Sequence, residues 1–196
     1  MSSGGRAETR TRILDAARAM FEEVGYCGAG LEAVAKKAGV SRQAIYLYFP
    51  SKAELLTALH LHIYATNVVP AIARHPITEA TTTSDALDAT ISAHLEVTSE
   101  VWQIHEALVM ARRQYSEVDE TLRPREEDRY GRLLDLGRRL EREGGLPRVD
   151  AVAFADTLWG LTNAGTYRAL VVERGWSFDQ YRQWVRDAVR REISID

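Results

Sequence analysis

The sequence predicts an all-α protein of about nine helices, with an N-terminal three-helix helix-turn-helix unit on a C-terminal helical bundle. Two observations carry that reading. Apolar residues recur three and four apart through segment after segment and never alternate as a half-buried strand requires. The breaks between those segments hold glycine, proline, or a Ser/Thr that can cap a helix. No stretch repeats at a fixed period.

The first helix is expected from Thr9 to Val24, where Ile13, Ala17, Phe21 and Val24 share a face and Gly25 supplies the stop. A short second helix follows from Leu31 to Ala38, with Leu31, Val34, Ala35 and Ala38 turned inward and Gly39 ending it. Ser41 caps a third, Arg42 to Tyr48, which Pro50 closes. Ser51 caps a longer run through Ala53, Leu55, Leu56 and Leu59, which Pro70 should kink or end. His75 to Ser84 reads as a loop. Asp85 to Ser99 and Glu100 to Gln114 read as two helices, and the polar Tyr115 to Pro124 as irregular. Arg125 to Glu143 is a charged amphipathic helix stopped by Gly144, Gly145 and Pro147. Ala151 to Glu173 is strongly apolar and ends at Gly175, and Phe178 to Ile193 closes the chain. The expected division is 1–51 and 52–196, joined rigidly through the fourth helix because no linker separates them.

Bulk composition narrows the function classes. With 196 residues, 45% hydrophobic and 27% charged, the chain can bury a core. A net charge of −3 excludes a uniformly basic nucleic-acid coat, yet residues 1–60 carry eight Lys/Arg against six Asp/Glu, so the cationic end is N-terminal. The single cysteine, Cys27, cannot form an intrachain disulfide and fits a reducing compartment. The opening MSSGGRAETRTR has no apolar core of a signal peptide, and no run of about 18 apolar residues is evident, so a cytoplasmic protein with no membrane span is expected.

The stretch Leu31 to Leu56 carries the chemistry. Two short helices joined by Ala38-Gly39-Val40-Ser41 make a helix-turn-helix: Gly39 tolerates the positive φ of the turn, Val40 plugs the core, and the second helix is free to lie in a major groove. Four features stand in register: Phe21…Gly25-Tyr26, the Ala38–Ser41 turn, the block Ile45-Tyr46-Leu47-Tyr48-Phe49, and Ser51-Lys52-Ala53-Glu54-Leu55. From about Thr9 to Leu59 the chain thereby resembles the tetracycline-repressor (TetR) family of transcription factors. The remaining helical region agrees with that family in length and class and carries no comparable motif.

The resemblance implies site residues. Arg42 and Gln43 would reach base edges, since Arg can bridge guanine O6 and N7 and Gln can pair with adenine N6 and N7. Ser41 and Ala44 would lie at the same surface, and Tyr46, Tyr48 and Lys52 match positions that touch phosphate oxygens. Arg6, Arg10 and Arg12 would neutralise flanking phosphates from an N-terminal arm. The bland alternatives are a solvated helix face for Arg42 and Gln43, core packing for Tyr46, a solvated helix start for Lys52 and a free tail for the arginines. One departure stands out: the Thr/Ser pair that opens the second helix in the family is Ala29-Gly30 here, which removes a hydroxyl anchor for phosphate.

The resemblance further implies a homodimer on operator DNA, acting as a repressor released by a small-molecule effector. Ala151 to Val172 is apolar on several sides, with Ala164, Gly165 and Ala169 allowing close approach. With Phe178, Tyr181, Val185, Ala188 and Val189 of the last helix, it is expected to form a four-helix interface with a second copy. Tyr64, Trp102, His105, Val109, Met110, Trp159, Asn163 and Tyr167 are the candidates to line an effector site for an apolar or aromatic molecule; the competing reading of each is ordinary core. Arg112-Arg113 is the cation considered for an anionic effector.

Other classes find little support. No Gly-rich phosphate loop, nucleophile elbow or HExxH occurs, so no catalytic residue and no cofactor are proposed. His60 and His62 diverge on one helix, His94 and His105 lie on others, and Cys27 is apart from all of them, so no metal site is proposed. A helical adaptor that has lost DNA binding is allowed by Ala29-Gly30 and opposed by the intact Arg42-Gln43 and Tyr46…Lys52 set.

Overall fold

The computed structural model describes residues 3–74, 80, 82–146 and 148–191. They form nine helices and no strand. In chain order these are α1 (Ser3–Gly28), α2 (Leu31–Lys37), α3 (Arg42–Tyr48) and α4 (Lys52–Ala73). There follow α5 (Thr83–Ala111), α6 (Ser116–Arg142) and α7 (Ala151–Leu161). The last are α8 (Ala164–Tyr167, running on as a π-helical Arg168–Glu173) and α9 (Phe178–Arg190). The predicted loop at 75–79 and 81, Pro147, and the predicted end of the last helix at Ile193 lie outside the described residues.

The chain divides into two compact units, residues 1–66 with 103–123, and residues 67–102 with 124–196. In the first, α1 packs on α2 and α4, and α2 packs on α3. Ile13, Leu14, Ala17, Phe21, Val34, Ile45, Phe49, Leu55, Leu56 and Leu59 are buried there. Each large member contributes about 1.5–3 kcal/mol of burial free energy. The Gln103 carboxamide donates to the Glu22 carbonyl at 3.1 Å, which ties the end of α5 to α1. Hydrogen bonds from Arg112 and Arg123 hold the Asp119 carboxyl below its ordinary range, bracing the α5–α6 turn. In the second unit, Leu87, Ile91 and Leu95 of α5, Leu133, Leu136 and Leu140 of α6, and Phe154 and Leu158 of α7 form one core with Tyr181, Val185 and Val189 of α9.

Several expectations are corrected. α1 begins at Ser3, so the arginines expected on an arm stand on a helix; Gly25, at φ 73°, still breaks it where predicted. Residues 85–111 are one helix, because Ser99 merely turns its hydroxyl back to the Glu96 carbonyl at 2.8 Å instead of capping a new start. Residues 116–124 are helical and Pro124 lies inside α6. The bond that this proline removes is outweighed by burial of Val118 and Leu122 before it and Leu133 after it. The apolar 151–173 segment is broken at Thr162, where Asn163 caps α8 by accepting from the Thr166 N–H at 2.9 Å. Pro70 does not end α4. It cannot donate to the Thr66 carbonyl, and the ladder widens into a π-helical stretch, Tyr64–Val68, just before it. At 22 residues, α4 is long and apolar enough to cross a membrane by length and composition, contrary to the reading above; Ala53, Leu55, Leu56, Leu59 and Ile63 are instead buried in the protein's own core. Finally, Tyr181, Val185 and Val189, expected at an inter-subunit seam, are buried inside the chain, because α9 lays that stripe on α7.

Candidate nucleic-acid interface

The turn between α2 and α3 is made by Gly39, whose φ of 65° lies in the left-handed region that a side chain strains. The Gly39 N–H reaches the Lys36 carbonyl at 3.2 Å and the Val40 N–H the Ala35 carbonyl at 3.0 Å, satisfying the last carbonyls of α2 as the chain turns. Ser41 then opens α3, its Oγ accepting from the Ala44 N–H at 3.1 Å. Within α3 only Ile45 is buried, and Phe49 seals the end. With the helix anchored on that one side, Arg42, Gln43, Tyr46 and Leu47 face solvent, and Ala44 and Tyr48 are half-buried.

The start of α1 stands beside this face. The Arg6 guanidinium lies 5.9 Å from the Tyr48 ring centroid and that of Arg10 5.4 Å from the Phe49 ring. Arg6, Ala7, Arg10, Leu47 and Tyr48 line an open recess of about 320 Å³. Two cations on its wall suit it to a phosphate group. Arg42 is paired with Glu32 at 3.0 Å, but both side chains are mostly exposed, so the pair is worth about 0–1 kcal/mol and is easily exchanged.

Residues 13–59 match the model of the bacterial regulatory proteins, tetR family. Over those residues the chain is similar to that family. Among relatives, it is 48% identical over 52 residues to the HTH-type transcriptional regulator SrpR of Pseudomonas putida, covering 26% of this chain and 24% of that protein. It is 43% identical over 58 residues to the HTH-type transcriptional repressor KstR of Rhodococcus jostii, covering 30% and 27%. The chain thus spans about a quarter of the length of these curated relatives. Its fold is that of a transcriptional regulator from Saccharomonospora viridis solved in complex with choline, with a TM-score of 0.80 at 21% identity over 97% of this chain and 100% of that one.

The interface holds some expected residues together and sets one apart. Ser41, Arg42, Gln43, Ala44, Tyr46 and Tyr48 all lie on or beside α3. Lys52 opens α4, and its ammonium donates to the Tyr26 carbonyl and stands 4.2 Å from the Tyr26 ring centroid. Burial lowers its pKa below that of an ordinary lysine. Gly30 caps α2 in extended geometry, φ −95° and ψ 154°, with no side-chain hydrogen bond, as its lack of a side chain requires. Leu47 was missed in the sequence. It is 74% exposed, and its position four residues after Gln43 was the available signal that it shares that helix face.

The effector candidates fall in different places in the chain. Trp102, Trp159, Asn163 and Tyr167 belong to the second unit, and Tyr64, His105 and Val109 to the first. Trp102 and Tyr167 rings are 6.2 Å apart, and Trp159 meets Tyr130 edge-on at 5.9 Å. Asn163 spends its carboxamide locally, accepting from Thr166 and donating to the Gly160 carbonyl at 2.7 Å. Met110 is exposed and Val109 marginally so, at 54% and 36%.

Proposed function

We propose that this protein is a sequence-specific transcriptional regulator that binds operator DNA as a homodimer, represses by occluding the promoter, and is released by a small-molecule effector. The observation that carries the reading is the exposed α3 face of Arg42, Gln43, Tyr46 and Leu47, held beyond a positive-φ turn and flanked by Arg6 and Arg10. In this reading α3 enters the major groove, Arg42 and Gln43 touch base edges, and Ser41 and Ala44 sit at the groove surface. Tyr46, Tyr48, Arg6 and Arg10 touch phosphates. Lys52 joins them only by leaving the Tyr26 carbonyl, or else serves to hold α1 and α4 together.

Repression and effector release are drawn from relatives: KstR is named a repressor, and the Saccharomonospora regulator holds choline. For the homodimer, exposed Val152 on α7 and Val172 in the π-helical end of α8 offer apolar surface to a second copy. The effector is read into the second unit, beside Trp102, Trp159 and Tyr167, where aromatic walls suit an apolar or aromatic body.

Fluorescence anisotropy on the duplex upstream of the protein's own gene tests the reading, with random duplex and Arg42→Ala/Gln43→Ala as controls. Selective binding that each substitution weakens by about 1–3 kcal/mol is expected. Equal, weak binding of all duplexes by the wild type and the variant contradicts it and favours an adaptor acting through proteins. Sedimentation as a monomer at micromolar concentration removes the homodimer.

A further inference from the structure

Leu47 stands where the exposed face of α3 meets a cationic recess. At 74% exposure it is the most exposed large apolar side chain among the described residues. It lies one turn after Gln43 on α3, whose single buried residue is Ile45. It also lines, with Arg6, Ala7, Arg10 and Tyr48, the open recess of about 320 Å³ beside that helix.

The recess defines what comes to it. Arg6 and Arg10 stand one turn apart on α1, and their guanidinium groups rest against the rings of Tyr48 and Phe49, 5.9 and 5.4 Å from the centroids. No carboxylate lines the recess. Two guanidinium groups on such a wall take the oxygens of a phosphate. A phosphate seated there brings the backbone of one DNA strand against Leu47, so the base edge that Leu47 meets is one close to that backbone. In a B-form duplex the C5 position of a pyrimidine lies toward its own strand's backbone, while the group on C4 lies toward the middle of the groove.

The chemistry of the side chain then selects the base. Leucine has no donor and no acceptor. Against guanine O6 and N7, adenine N7 and N6 or cytosine N4 it displaces water from a polar atom and returns no hydrogen bond, which is unfavourable. Thymine alone presents an apolar group in the major groove, its C5 methyl.

We propose that Leu47 is a specificity-determining residue, which packs on the C5 methyl of a thymine directly beside the phosphate held by Arg6 and Arg10. This rests on the reading of α3 as the major-groove helix, and adds to it one base and one atom of that base.

The test starts from a randomised duplex pool, from which the full-length protein selects its preferred site. Anisotropy then follows binding to the selected duplex with each thymine in turn replaced by deoxyuridine, which removes the methyl group and keeps the base pair. One replacement should weaken the wild type about four-fold, the worth of one buried methyl group. At that position Leu47→Ala should bind the thymine and deoxyuridine forms alike. With cytosine there instead, 5-methylcytosine should be preferred to cytosine by the wild type and not by Leu47→Ala. An uncharged methylphosphonate next to that thymine should weaken the wild type and leave Arg6→Gln/Arg10→Gln little changed. Leu47 is too exposed for its truncation to unfold α3, and thermal melting checks that; the deoxyuridine scan of the wild type stands without any variant. The proposal is overturned if no thymine methyl matters to the wild type, or if the deoxyuridine penalty is as large in Leu47→Ala. It is also overturned if the phosphates flanking the sensitive thymine tolerate the methylphosphonate. Should selection enrich a sequence that shows no such methyl effect, only this inference is lost. Should it enrich none, the regulator reading is lost and this one with it.

Discussion

Lys52 donates to the Tyr26 carbonyl and places its ammonium 4.2 Å from the centroid of the Tyr26 ring. The two contacts join the broken end of α1, just past Gly25, to the first residue of α4. They make Lys52 a strut of the N-terminal unit, whatever it does on DNA.

Lys52→Met should therefore lower stability in urea by about 1–2 kcal/mol, the sum of a charge-assisted hydrogen bond and a part-exposed cation–π contact. Tyr26→Phe should cost little, because the acceptor is the main-chain carbonyl and the ring face survives. Tyr26→Leu should lose the ring's share only. A Lys52→Met protein as stable as wild type, with weaker DNA binding, would return Lys52 to the phosphate role.

The same tyrosine sets an alkaline limit. Burial, with Tyr115 and Cys27 as further causes, pushes the Tyr26 phenol up to about 12 from 10.0. The folded state thus keeps a proton that the unfolded chain releases, and the stability it contributes is complete below pH 10 and lost as pH rises toward 12. Tyr26→Phe should flatten the fall in stability over that window, measured by urea unfolding at pH 9.5 and at about pH 11.

His94 sets an acid limit in the second unit. Burial first, then the Arg129 guanidinium and more weakly Arg132, push its pKa down from 6.5 to about 3, against the Thr90 carbonyl, to which Nδ1 donates at 2.8 Å. The unfolded chain binds a proton that the folded one refuses, so the contribution is present above pH 6.5 and lost as pH falls toward 3. Between pH 7 and pH 5 wild type should lose about 2 kcal/mol more than His94→Gln. Equal losses in the two proteins would show that His94 titrates normally.

Gly30→Ser should strengthen the DNA-binding unit. An added Cβ meets nothing within 4 Å, and the backbone is already in the extended geometry of a helix cap. The new hydroxyl can accept from a free N–H of α2, for a gain of a few tenths of a kcal/mol, about 0.3, in stability. On the proposed reading it also adds a hydroxyl anchor for phosphate, so affinity for specific and random duplex should rise together, with little change in their ratio. A rise confined to the specific duplex would refute the phosphate assignment.

Gly137→Ala should be the costliest of these changes. Its Cβ would come 2.7 Å from the Ala151 carbonyl oxygen, and main chain cannot rotate away as a side chain can. The α6 helix must then move off the start of α7, at a cost of about 1–3 kcal/mol, read from the urea midpoint. An unchanged midpoint would mean that the two helices are not held at that distance.

The sequence by itself determined the all-α class and the helix-turn-helix, because both are local. Helical periodicity, the Ser41 and Ser51 caps and the positive-φ glycines at 25 and 39 act within a turn or two of chain, and each element they predict in the first 60 residues is present. What the sequence could not supply was the competition between a local breaker and distant packing. Pro124 stays inside α6 because residues on both sides of it are buried, and Ser99 interrupts nothing because Ile91 and Leu95 before it and Ile104 and Leu108 after it are each buried, on different faces of α5. The break at Thr162 went unread for the converse reason. The carbonyls freed at the break, on Thr162 and Leu161, are taken up by the Thr98 hydroxyl, Arg129 and the Tyr181 hydroxyl, all far along the chain. Tertiary structure also decided where Lys52 and Arg129 stand. A long cationic side chain reaches whatever carbonyl, hydroxyl or ring the fold brings near it, and no pattern of neighbouring residues records that choice.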